Sequence, residues 1–186
     1  MNVARRALSV LFIAICAGPV VADPSLGFYF DIEGNNTHYY DNGCGWPMET
    51  YTLYVLASGV EVVGGAKFRV GTIGCPPEPD MTVNMPMGVV SGSPHTGLEV
   101  AFSPPLMTGP PGYIFLGSID VTLDCMCFHA FPFAHLALWP YLGCDDVMIY
   151  DSVSQCWNPV SGNDVWIDQG MPTERRTFGA IKLMYH

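Results

Sequence analysis

A chain of 186 residues that is 49% hydrophobic and only 13% charged can bury a core as one domain, which excludes a globally disordered protein. Seven Lys and Arg face 17 Asp and Glu; with Arg5 and Arg6 set aside the balance becomes five against 17, a net charge of −12. No Lys or Arg stands between Arg69 and Arg175, so nucleic acid and anionic membrane, both of which are held by clustered cations, are excluded as partners.

Residues 1–22 read as a secretory signal. Arg5 and Arg6 form its positive end, Ala7 to Ala17 its apolar stretch, and Val20, Val21 and Ala22 a small-residue cleavage site before Asp23. The apolar run is shorter than a bilayer span and no second one is long enough, so no membrane span is expected after cleavage. The expected location is secreted, periplasmic or cell-surface. The mature domain is expected over 23–170, and 171–186, where charges cluster, is read as a C-terminal tail or a last strand.

Leu26 to Ile32 alternates Phe28, Phe30 and Ile32 against Tyr29 and Asp31, which predicts a first strand. The Gly- and Asn-rich stretch that follows, as far as Pro47, predicts a loop. Asp31, Glu33, Asn35 and Asp41 crowd oxygen ligands into this segment, and calcium is held by several such oxygens from flexible loops. Gly34 is misplaced for an EF-hand, and a solvated acidic loop is the alternative. No other cofactor is suggested.

Tyr51 to Gly71 predicts the central strand pair. Tyr51, Leu53, Val55 and Ala57 share one face, with Thr50, Thr52 and Tyr54 opposite; after Ser58 and Gly59, Ala66, Phe68 and Val70 alternate with Lys67 and Arg69. Pro77 and Pro79 make the next stretch a loop. Met81 to Val90 is a weak edge strand, Gly97 to Phe102 a clear one, and Ser103 to Gly112 a Pro-rich turn. Tyr113 to Asp124 is the longest strand, with Phe115, Ile119, Val121 and Leu123 on its apolar face and Gly117 there to admit a large neighbour. Ala134 to Trp139, Val147 to Tyr150 and Asp164 to Ile167 are shorter ones. Many short strands with Gly and Pro turns predict an all-β, two-sheet antiparallel β-sandwich.

Six cysteines follow the signal: Cys44, Cys75, Cys125, Cys127, Cys144 and Cys156. An even count in an exported chain predicts three disulfides that stabilise the sandwich. Cys125 and Cys127, two apart on one strand face, are expected to take different partners. Zinc held by Cys125, Cys127, His129, His135 and Cys144 is the alternative, at a spacing that matches no usual zinc motif.

Trp46, Trp139 and Trp157 stand beside Pro or Cys, in expected loops. Exposed aromatics there would stack on sugar rings; packing on a disulfide or a sandwich end is the plainer alternative. The chain has no GxSxG, HExxH, P-loop or GxGxxG pattern, and no catalytic residues are assigned.

Leu53, Val55 and Ala57, then Gly65, Phe68 and Val70, resemble the early strands of cohesin-like, Ig-like β-sandwich modules of secreted bacterial proteins, and Tyr113 to Asp124 is similar to that family's long strand. The resemblance covers roughly half the chain and rests on strand patterning; the six cysteines depart from it. It implies a jelly-roll-type sandwich that binds protein or carbohydrate and performs no chemistry. The expected function is thus a secreted binding or adhesion module for a carbohydrate or extracellular protein, with Trp46 and the Asp31 to Asp41 segment at the binding end. A carbohydrate-active enzyme or inhibitor on the same scaffold, or a purely structural surface protein, are the other readings.

Overall fold

The computed structural model describes residues 23–41, 49–73, 78–109, 112–123 and 133–169. The signal segment, residues 171–186 and Cys44, Trp46, Cys75, Cys125 and Cys127 lie outside them. The described residues form β1 (Ser25–Tyr29), β2 (His38–Asp41), β3 (Glu49–Ser58), β4 (Val62–Ile73), β5 (Asp80–Asn84), β6 (Gly88–Ser93), β7 (Gly97–Met107), β8 (Tyr113–Leu123), β9 (Phe133–Trp139), β10 (Val147–Asp151), β11 (Cys156–Asn163) and β12 (Val165–Gln169). No helix among them is long and apolar enough to cross a membrane.

One layer runs β1, β3, β8, β5, all antiparallel. In the other, β4 pairs with β7 and β10 over its first half and with β9 over its second; β6 extends β7, and β12 and then β2 extend β9. The inner faces meet in a single core in which Phe28 of β1 and Phe68 of β4, both fully buried, stand edge to face at 6.0 Å. The alternation read in β3 and β4 holds: Tyr51, Leu53, Val55, Ala57, Ala66, Phe68 and Val70 are buried, while Lys67 and Arg69 point outward. Burying such side chains, at roughly 1.5–3 kcal/mol each, is what drives the layers together.

The sandwich is not wholly antiparallel. β1 pairs in parallel with the end of β11, and β12 in parallel with β2. β11 also pairs with β10, so its two halves bond to the two layers and join them along one side.

Four expectations are corrected. The first strand ends at Tyr29 instead of Ile32, because the Phe30 N–H bonds to the Asn36 carbonyl at 2.7 Å and turns the chain, leaving Ile32 exposed. The loop expected up to Pro47 contains β2. β7 continues through Pro104 and Pro105, which fall where its pairing with β4 skips from Ala101 to Leu106, so no ladder donor is lost. In β8 a bulge opposite Val55 and Leu56 changes the phase of alternation: Ile114 and Leu116, not Phe115, are buried ahead of Ile119. Gly117 lies at that bulge, and a side chain there would collide with Met85, the large neighbour its position admits.

Candidate functional site

Two aromatic surfaces stand out among the described residues. The first is a groove of about 420 Å³ lined by Phe30, Tyr39, Glu49, Thr50, Tyr51, Thr52 and Tyr54. It exists because β1 stops early. β3 is paired with β1 only from Tyr54 to Ser58, while β8 accompanies it down to Glu49. The chain leaving β1 turns and returns as β2, which sets Tyr39 against Phe30 at 5.5 Å and against Tyr51 at 5.3 Å. Three rings thus form a ladder on one wall.

The other wall is polar. Thr50, Thr52 and Tyr54 alternate outward along β3; the Thr52 hydroxyl donates to Asp120 at 2.7 Å, and the Thr50 and Thr122 hydroxyls meet at 2.9 Å. The Tyr51 hydroxyl donates to Glu49 at 2.9 Å. Acceptors and aromatic faces side by side are what a polyhydroxylated ring meets well, since its C–H faces stack and its hydroxyls donate. Close by, burial pushes the Tyr29 phenol up, with Tyr113 and Asp31 adding to it, so Tyr29 stays a neutral donor.

The Asp31 to Asp41 segment borders this groove through Tyr39, and Phe30 directly precedes it. Asp31 caps its own turn, its carboxylate accepting the Asn35 N–H at 2.9 Å, while Glu33 and Asn35 are exposed and Asp41 ends β2. Among the described residues, no three His, Cys, Asp or Glu side chains converge as a metal site.

The second surface is the outer face of β4. Trp139 and Trp157, expected in loops, are instead on strands, at the end of β9 and near the start of β11. Lys67 Nζ lies 4.6 Å from the Trp157 ring centre and 3.0 Å from Glu99; Arg69 Cζ lies 4.7 Å from that of Trp139. Trp139 lies directly over Gly71, where any side chain would strike the indole. Further along this sheet His135 stacks on Trp166 at 3.9 Å, and its Nε2 meets Asp164 at 2.8 Å while the other Asp164 oxygen accepts the Leu138 N–H. Trp139 and Trp157 thus stand by the outer face of β4, while Tyr39 of the Asp31 to Asp41 segment lines the groove.

Cys144, between β9 and β10, and Cys156, opening β11, are exposed free thiols. Cys156 pairs with Asp151, at the end of β10 remote from the connection that carries Cys144, and the structure does not join the two. The groove residues Tyr39, Thr50 and Thr52 were not singled out by sequence. The one signal for the two threonines is the polar outer face of β3, and Tyr39, on β2, gives none.

No family model and no curated protein matches the sequence. Solved cohesin structures are similar in shape, in line with the resemblance carried by the central strands. A non-cellulosomal cohesin from the archaeon Archaeoglobus fulgidus is 11% identical, with 89% of this chain and 100% of that one covered and a TM-score of 0.48. The third ScaC cohesin of Acetivibrio cellulolyticus, solved with the ScaB dockerin, is 8% identical over 78% and 98%, with a TM-score of 0.47. The seventh ScaB type I cohesin of Pseudobacteroides cellulosolvens is 9% identical over 81% and 96%, with a TM-score of 0.45. At these scores the cohesins are proteins this chain is similar to, and they assign it no partner.

Proposed function

We propose that the protein is an exported, non-catalytic module that binds carbohydrate in the groove beside β3. The observation that carries this reading is the ladder of Phe30, Tyr39 and Tyr51 facing a wall of Thr50, Thr52, Glu49 and the Thr52-bound Asp120. The secretory signal read over 1–22 supports export, and Trp46, three residues before Glu49 in sequence, belongs to the same proposal. Screening against immobilised neutral glycans tests it. Binding without turnover, weakened about tenfold or more by Tyr39→Ala, is the expected result, since truncating an aromatic anchor costs about 2 kcal/mol or more. Hydrolysis of a bound glycan that disappears in Glu49→Gln or Asp120→Asn would make this an enzyme and end the reading.

A protein partner is the second reading. It is favoured by the tyrosines of the same groove, since aromatic side chains are also enriched where proteins meet. Failure of the glycan screen together with binding of an extended peptide would select it. Calcium, held by Asp31, Glu33, Asn35 and Asp41, enters as a stabiliser of the groove rim; a rise in Tm with millimolar calcium, absent in Asp31→Asn, is the test.

A further inference from the structure

We propose that the outer face of β4 is a second binding site, which takes the carboxylate of a glycan ending in a single acidic sugar. Lys67 and Arg69 are the only Lys or Arg among the described residues. They sit two apart on one strand, so both point outward from the same face. Their partners differ. Lys67 is ion-paired with Glu99 at 3.0 Å. Arg69 forms no ion pair with any described carboxylate, and its Nε is buried with no hydrogen-bond partner. In a chain where 17 acidic residues outnumber seven basic ones, a guanidinium that pairs with none of the described carboxylates stands out.

Trp139 explains how Arg69 is held. The indole lies on the Gly71 backbone and the guanidinium lies over the indole, which fixes the direction of the planar fork. A fork fixed in this way suits two-pronged recognition of a carboxylate. The charge balance then limits the ligand. A single cation without an ion-pair partner among the described residues, on a strongly acidic molecule, attracts one carboxylate and repels a polyanion. The rings of Tyr150 and Trp157, 5.5 Å apart beside Lys67, with Trp157 37% exposed, supply aromatic surface on which a sugar ring can lie. That surface favours a sugar over a peptide terminus.

The site is distinct from the groove and is tested apart from it. The probe is an oligosaccharide ending in glucuronic acid, compared with its methyl ester, with polygalacturonate and with a neutral peptide bearing a free C-terminal carboxylate. The acid is expected to bind, more weakly as salt rises, and in preference to the other three. Arg69→Gln is expected to weaken it about 10- to 100-fold, the range for losing a hydrogen-bonded charge, and Arg69→Lys to restore only part. Thermal melts check that both variants fold. Tyr39→Ala, in the groove, should leave this binding unchanged. Equal binding of the ester, less than a twofold effect of Arg69→Gln, or loss in Tyr39→Ala would overturn the proposal, and peptide binding as tight as the sugar would overturn the ligand class.

Discussion

Replacing Phe68 by alanine strikes the contact on which the two-layer architecture turns. Phe68 of β4 and Phe28 of β1 are both fully buried, come from opposite layers and meet edge to face at 6.0 Å with an interplanar angle of 67°. Removing a buried phenylalanine costs about 3–5 kcal/mol in lost burial and cavity formation. Domains of this size have only about 5–15 kcal/mol in hand, so the variant loses a large share. Taking about 4 kcal/mol and a urea slope of about 2 kcal/mol/M, the unfolding midpoint should fall by roughly 2 M. A double-mutant cycle with Phe28→Leu and Phe68→Leu isolates the ring contact, which should contribute about 0.5–1.5 kcal/mol beyond area. A cost below about 1 kcal/mol for Phe68→Ala, with no coupling in the cycle, would mean that the layers do not close over this pair.

Gly71→Ala should lift Trp139 from the strand, cost about 1–3 kcal/mol by overpacking and shift tryptophan fluorescence; an unchanged spectrum would refute the placement of the indole. Asp151 accepts hydrogen bonds from Ser154 and from the Val153 N–H, which hold its carboxyl below the usual carboxylate range. Its contribution is therefore present above an unfolded value near about pH 4 and is lost as pH falls through the lower folded value. Wild type and Asp151→Asn should thus differ in stability at neutral pH and converge under acid; a constant difference across that range would exclude the carboxylate as the cause. In a non-reduced digest no Cys144–Cys156 peptide should appear, since β10 separates the two, and finding one would require that strand to move.

What could be read from sequence was whatever declared itself by alternation. β3 and β4 are long, alternate cleanly and are paired on one wet and one dry face, so Leu53, Val55 and Phe68 announced the core. β11 did not, because Pro159 interrupts it and most of its side chains stay at the surface; its place is set by backbone bonds to β10 and β1. β2, four residues amid polar neighbours, becomes a strand only because β12 lies beside it. In β8 the single extra residue at the bulge inverted the phase beyond it, so Phe115 was assigned to the wrong side. The candidate sites fared likewise. Trp139 and Trp157 were visible as residues, but their cationic neighbours come from cross-strand pairing with β4, a long-range fact. The groove depends on where β1 stops, which a hydrogen bond from Phe30 decides.

β11 belongs to both layers, with its first five residues bonded to β10 and its last three to β1. Sliding or spreading one layer over the other would have to tear that shared strand out of register. The groove of Tyr39 and the stripe of Arg69 therefore belong to one body and keep a fixed spacing. Ligands held at the two proposed sites would thus be kept at a constant distance, because the shared strand leaves no hinge between them.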